Sequence, residues 1–439
     1  MRPRIAIFIL LLAVRFEAAI SAEQPGSSPP LPQLEQLTLR QAEQYFQDRN
    51  RELQLARRTI ESSDAAVLSA QARPNPSLSA GVSQIGSGTG PGNVWNKHAD
   101  TVIGVSQLFE RGNKRELRSG IAEANAAASR SDRDEVERQQ RVALQGAYYD
   151  LKLSQERLAI AGETAAGYRR LVDAAQLRLK TGDIAATDLA RIRVDALRAA
   201  NDNRAAGAEV LRAQLTLAYL IGADAQAAQI RAVDAWPGME EPRKPADLER
   251  LLATRADVRA AQARLDAAER GREAALALRT RDVTGGIQYE RFPGDAANNT
   301  YGFFVSVPLF TGYYYEGEIR KAEADLGTAR DALERVRALA QAEIIRARSD
   351  LEAAAERTRR GREEVLAAAE KAANGAEFAY TRGAIGVMDL LDARRQLYGA
   401  RLEVVAMQAD YAKALAAWQA ASTDTLSRSV LPSSMRAQP

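Results

Sequence analysis

Apolar positions recur at seven-residue spacing along two long stretches of the chain. In the first, Leu144, Leu151, Leu158 and Ala165 form one row, and Ala147, Ser154, Ala161, Tyr168 and Ala175 form its companion. In the second, the row runs through Ile319, Leu326, Leu333, Ala340, Ala347 and Ala354, with Ala322, Ala329 and Val336 three residues on. A sustained seven-residue repeat predicts a coiled-coil seam rather than a globular helix face. The seams are rich in Ala, which lets helix backbones approach closely. No Pro occurs between Gly92 and Trp236 or between Leu309 and Leu431, and helices tolerate Pro only in their first turn. A helix from Gly112 to Lys180 would be about 100 Å long at about 1.5 Å per residue.

Each long zone is interrupted once, and by the same motif. "RLKTGDIAATDLARIR" spans 178–193 and "AYTRGAIGVMDLLDAR" spans 379–394, an offset of 201 residues. Both place Gly at the fifth position, Ile at the seventh, Asp-Leu at the eleventh and twelfth, and Arg at the sixteenth. Gly182 and Gly383 suit the left-handed residue that ends a helix. Thr187 is placed to cap the next one. Each motif should turn the chain and send it back as an antiparallel partner.

Ahead of each long helix the period changes to two. "SLSAGVSQIG" and "DTVIGVSQLF" flank "GSGTGPGN"; "DVTGGIQYE" and "TYGFFVSVPLF" flank "RFPGDAANN". These read as strand pairs joined by polar loops. In the second pair Tyr301, Phe303, Val305, Val307 and Leu309 alternate with Gly302, Phe304, Ser306 and Pro308; the first pair alternates less cleanly. "NRELQLARRTI" (50–60) aligns with "RADVRAAQARL" (255–265), so each half reads helix, β-hairpin, long helix, turn, returning helix. The expected organisation has a first repeat over 34–222, with a hairpin at 77–109 and a helical hairpin at 112–222 tipped near 181–188. A linker over 223–245 leads to a second repeat over 246–421, with a hairpin at 282–310 and a helical hairpin at 312–421 tipped near 382–389. A flexible tail over 422–439 closes the chain.

The termini and charges narrow the setting. Arg2 and Arg4 precede the apolar run Ile5 to Val14, and "AAISA" supplies small residues, so residues 1–22 read as a secretory signal peptide with a Pro/Ser-rich tether over 23–33. Lys+Arg number 60 against 57 Asp+Glu, a near balance that argues against binding driven by phosphate neutralisation. There is no Cys and one His, His98, so no enzyme is expected: no thiolate, His-cluster metal site, Ser/His/Asp set or cofactor site appears. "GSGTGPG" lacks the Lys-Ser/Thr of a phosphate loop.

Four strands cannot close a barrel, and the smallest outer-membrane barrels need about eight. If the strands form a barrel, copies of the chain must therefore combine; two would give eight strands and a bore that side chains fill, and three would give twelve around a lumen. Taken in order, the duplicated plan, "ARPNPSL" before the first strand, "PLFTG" after the last and the two Gly-to-Asp turns resemble the TolC-type outer-membrane efflux proteins over residues 34 to about 421. "LFERGNKRELRSGIAEANAA" is most similar to the heavy-metal, CzcC-like branch. The resemblance implies a mainly α protein with a β-barrel part: a homotrimer with a twelve-stranded barrel in outer-membrane lipid and a helical coiled-coil tunnel crossing the periplasm. It implies an exit channel serving a periplasmic adaptor and an inner-membrane RND-type pump, with divalent heavy-metal cations as cargo in that branch.

By the same resemblance the tips dock the adaptor through Gly182, Ala185, Ala186, Thr187, Gly383, Ala384 and Gly386. Asp188, Asp389 and Asp392 would line an acidic aperture, and Arg191, standing where Asp392 stands in the other repeat, would join a tip ion pair. The bare sequence equally reads those Asp residues as helix-start carboxylates. Two departures stand out: no N-terminal Cys is present to carry a lipid, and Arg51 and Ala256 occupy places where the family often has Pro. The residues alone also leave open a periplasmic adaptor, which would need lipoyl-like β segments, and a secreted coiled-coil scaffold, which would not need paired strands.

Overall fold

The computed structural model describes residues 34–83, 100–239, 248–292 and 298–422. The expected signal segment, the tether, His98, most of both hairpin loops and the tail beyond Ser422 lie outside these residues. The first repeat comprises α1 (Leu39–Arg49), α2 (Arg51–Gln71), β1 (Ser77–Ser83), β2 (Asp100–Phe109), α3 (Lys114–Thr181) and α4 (Ala186–Ile221). The second comprises α5 (Leu248–Thr254), α6 (Ala256–Ala277), β3 (Val283–Phe292), β4 (Asn298–Ser306), α7 (Glu316–Arg360), α8 (Ala367–Thr381) and α9 (Val387–Ser422).

Helix starts follow from local chemistry. Thr38 and Gln41 form a reciprocal capping box at α1, with the Thr38 hydroxyl accepting from the Gln41 N–H at 3.3 Å and the Gln41 side chain accepting from the Thr38 N–H at 3.0 Å. Asn50 caps α2 and is buried; its amide donates to the Leu220 carbonyl at 3.0 Å, fixing the α1–α2 elbow against the end of α4. Arg51 and Ala256 are the first residues of α2 and α6. That is the helix position where Pro is favoured but not required, so the departure from Pro leaves both starts intact.

The two hairpins form one antiparallel sheet in the order β1-β2-β3-β4. The register resolves its faces, because directly paired residues point the same way. One face carries Leu78, Ala80, Val82, Ile103, Val105, Phe109, Val283, Ile287, Tyr289, Tyr301, Phe303 and Val305. The other carries Ser77, Ser79, Gly81, Ser106, Thr284, Gly286, Gln288, Gly302, Phe304 and Ser306. The first hairpin therefore shares the second's apolar face. Within the chain that face is uncovered: Tyr301 is 80% exposed and Phe303 87%. The sheet is open, with β1 and β4 as free edges, and β4 ends at Ser306, so Val307 and Leu309 fall beyond it.

The segment expected to be a plain linker is a packed strap. Residues Asp224–Gln229 form a 3-10 helix, and Leu37 and Ala232 make a parallel bridge. The Tyr148 hydroxyl bonds the Leu37 carbonyl at 3.0 Å and Asp234 at 2.9 Å, while Trp236 stacks on Tyr149 with centroids 6.0 Å apart. Tyr411 of α9 donates to the Gly238 carbonyl at 3.0 Å. The strap thus packs on α3 with an apolar cluster that includes Phe46, Tyr148, Leu151 and Ile221, and reaches α9 through the Tyr411 hydrogen bond. A second cluster joins Leu333, Ile344, Tyr411 and Trp418.

The first long zone is one unbroken helix of 68 residues, about 100 Å at about 1.5 Å per residue. The second has a break that its heptads did not announce. Residues Gly361–Leu366 form a π turn, which takes one extra residue into the helix. The buried row Ile344, Leu351, Thr358 would continue at Val365 and Ala372; the buried residue is instead Ala373, one place later than heptads would put it. A side chain at Gly361 would meet the Met407 sulfur at 2.5 Å, so α9 packs directly on this turn.

Candidate functional site

The twin tips form by matched backbone bonds. Gly182 sits at φ 84° and Gly383 at φ 73°, the left-handed region that glycine enters freely. In the first tip the Gly182 N–H reaches the Leu179 carbonyl at 3.2 Å and the Asp183 N–H the Arg178 carbonyl at 2.8 Å. In the second, Gly383 reaches Tyr380 at 3.1 Å and Ala384 reaches Ala379 at 2.9 Å. The two patterns are identical at the 201-residue offset, and both satisfy carbonyls orphaned at a helix end.

The returning helices differ from expectation at one cap. Ala185, not Thr187, is the N-cap of α4, with no side-chain cap bond; Thr187 lies inside the first turn. The reason is the chain's early entry into helix at Ala186, two residues after Ile184 closes the turn. Asp188 and Asp389 both occupy the third helical position, where a carboxylate complements the helix dipole. Asp389, Asp392, Ala185, Ala186, Thr187, Ala384 and Gly386 are exposed. A side chain added at Gly182 or Gly383 would meet nothing within 4 Å.

The two tips touch each other. Tyr168, Leu171, Leu189 and Ile192 of the first repeat pack with Val387, Leu390 and Leu391 of the second. The Arg178 guanidinium lies 5.0 Å from the centroid of the Tyr380 ring. Arg191 does not bridge to Asp392 within the chain. It lies 3.8 Å from Asp188, one turn back on its own helix, and Asp392 lies 3.8 Å from Arg395 in the same manner. Among the ion pairs that join the repeats, the one just behind the tips is Arg395 to Asp195 at 2.7 Å. Beside it lies a cavity of about 140 Å³ lined by Tyr168, Asp195, Asp202, Arg395 and Tyr398 among others. Burial pushes the Tyr168 hydroxyl pKa up, and the Asp195 carboxylate adds to that shift. Sequence reasoning missed Asp195. Its signal was a carboxylate in step with the apolar row Leu189, Ile192 and Ala199.

Among the described residues no three His, Asp or Glu side chains gather as a metal-binding group. No described helix is long and apolar enough to cross a membrane, which says nothing of the strands.

Comparison with known proteins places this geometry. The family described as outer membrane efflux protein matches residues 44–223 and 248–422, one match per repeat. The chain is 25% identical over 375 residues to the cobalt-zinc-cadmium resistance protein CzcC of Cupriavidus metallidurans, covering 83% of this chain and 85% of that one. It is 24% identical to the outer membrane efflux protein BepC of Brucella suis, covering 80% of this chain and 77% of that one. The fold matches the CmeC outer membrane channel of Campylobacter jejuni with a TM-score of 0.77 at 15% identity, over 89% of this chain and 88% of that one.

Proposed function

The chain belongs to the outer membrane efflux protein family and resides in the outer membrane, and on that premise we propose that it is the exit channel of a tripartite efflux system. The observation that carries this reading is the sheet: four strands with one mostly apolar face, a second face of mainly small and polar residues that also holds Val102, Leu108, Phe292 and Phe304, and two unpaired edges. Such a sheet is stable when β4 of one copy pairs with β1 of the next and the apolar face meets lipid. Three copies give twelve strands, enough to enclose a lumen lined by the polar face.

The helices then continue the lumen away from the membrane, and six tips surround its inner end. Gly182, Ala185, Ala186, Thr187, Gly383, Ala384 and Gly386 present exposed backbone for a periplasmic adaptor, which couples the duct to an inner-membrane pump. Asp188, Asp389 and Asp392 supply negative charge at the aperture, favouring cations. The likeness to CzcC supports divalent cations of the cobalt, zinc and cadmium class as cargo. Deleting the gene and supplying it in trans tests this. Tolerance of these metals and extrusion of preloaded metal fall in the deletion strain and return with the gene; unchanged tolerance and extrusion would remove the cargo assignment.

A further inference from the structure

At the helix end of the sheet the chain carries a collar of arginines that make no salt bridge among the described residues. Other cations there have partners: Lys114 meets Asp282 at 2.8 Å, Arg118 meets Glu110 at 2.7 Å and Arg115 meets Glu116 at 2.7 Å. Arg111, Arg279, Arg281 and Arg320 are exposed and have no carboxylate within 4.0 Å among the described residues. Two of them lie just beyond the paired strand ends: Arg111 follows Phe109 by two residues, and Arg281 precedes Val283 by two.

Two members of the collar are held by the segment that leads into α7. The Arg281 guanidinium lies 5.3 Å from the centroid of the Phe310 ring, and the Arg279 side chain donates to the Tyr314 carbonyl at 3.3 Å. Tyr313 and Tyr314 are each about half exposed and stand where amphipathic rings sit at a lipid–water boundary. An exposed apolar face that ends in tyrosines and unpaired guanidiniums matches a leaflet edge, with acyl chains on the sheet and headgroup phosphates on the arginines. Guanidinium suits phosphate because its planar fork can donate two parallel hydrogen bonds.

We propose that Arg111, Arg279, Arg281 and Arg320, with Tyr313 and Tyr314, form a binding surface for anionic phospholipid headgroups in the membrane leaflet nearest the helices. The proposal rests on the reading that the sheet lies in the outer membrane. It adds a lipid partner and a depth marker: the phosphate plane of that leaflet lies level with the starts of α3 and α7.

The test uses the full-length protein solubilised from outer membranes in neutral detergent. Native mass spectrometry counts the lipid retained on titration with phosphatidylglycerol, phosphatidylcholine or inorganic phosphate. Phosphatidylglycerol should bind at least about tenfold more tightly than phosphatidylcholine. The quadruple variant Arg111→Gln, Arg279→Gln, Arg281→Gln, Arg320→Gln should lose that preference, and the matching Lys variant should keep most of it. Arg346→Gln, about 39 Å along α7 from Arg320, should behave as wild type. Equal binding of the two lipids, or a preference that survives the four Gln changes, would overturn the proposal. So would displacement of phosphatidylglycerol by millimolar inorganic phosphate, which would mark a free-phosphate site. Recovery of the wild-type chain in the soluble periplasmic fraction would instead overturn the membrane reading on which the proposal rests.

Discussion

Arg395 of α9 donates to the Asp195 carboxylate of α4 at 2.7 Å, joining the two repeats across 200 residues of sequence. Asp195 is 6% exposed, and among the described residues the other cation within 4.0 Å, Arg198, lies 3.8 Å away. The pair sits just behind the tips, where Ile192, Leu390 and Leu391 close the contact between repeats. It is therefore one of the contacts that tie the two helical hairpins together.

Arg395→Ala leaves a buried carboxylate without its main partner. A loss of about 1–3 kcal/mol is expected, read as a lower unfolding midpoint of the detergent-solubilised protein. Replacing both residues by Leu should recover much of the loss, because neither charge is then stranded. In planar bilayers Arg395→Ala should also raise conductance, since the tips are freed from one another. Unchanged conductance would make the pair purely structural.

Gly383→Val places a β-branched side chain at φ 73°. The strain is about 1–2 kcal/mol, too little to unfold clusters distant from the tip. With open space around the added side chain, its bulk projects toward whatever docks there. The variant should assemble and reach the outer membrane yet fail to export. Normal export at normal abundance would remove the tip from the docking surface.

Asp389→Ala with Asp392→Ala removes two exposed carboxylates per chain from the proposed aperture. Reversal-potential measurements under a salt gradient should show weaker cation preference, with higher conductance. If neither changes, these residues serve only the start of α9, where a carboxylate stabilises the first turn.

A buried charge network predicts acid sensitivity. Arg255 reaches both Asp257 at 2.8 Å and Glu343 at 2.7 Å, and Arg138 reaches Glu343 at 2.8 Å. Burial works to raise the pKa of both acids. The hydrogen bond and charge of Arg255 outweigh it at Asp257, and the charges of Arg138 and Arg255 outweigh it at Glu343, so both end below the usual carboxylate range. A lowered folded pKa stabilises the fold above the unfolded value near 4 and loses that contribution as pH falls through the folded one. Helical circular dichroism should therefore hold to about pH 4 and melt more easily below it. Glu343→Gln should flatten that dependence and, because Glu343 is partly exposed and Arg255 keeps Asp257, cost no more than about 1 kcal/mol at neutral pH.

Much of this architecture was legible because its signals are periodic. Heptad rows marked α3 and α7, the Gly-to-Asp motif marked both turns, and period-two segments marked four strands. What the sequence withheld depends on contacts between distant segments. The face of the first hairpin emerged only from its register with β3, where Val105 pairs with Ile287 and Ile103 with Tyr289. The π turn at Gly361–Leu366 reflects packing on Met407 rather than any breaker in its own sequence. The strap from Asp224 to Gly238 has no period, and its order comes from Tyr148, Tyr149 and Tyr411 on other helices. At the tips the motif gave the positions of Asp188, Asp389 and Arg191. The Asp195–Arg395 pair was hidden because the two residues are not equivalent in the repeat.

The mass of the complex extracted from purified outer membranes tests the central claim most directly. Light scattering with the detergent contribution subtracted should give three times the mass of one processed chain, because only shared strands can satisfy the free edges of β1 and β4. A monomeric mass, or recovery of the protein in the soluble periplasmic fraction, would contradict the account of this chain as one third of an outer-membrane channel.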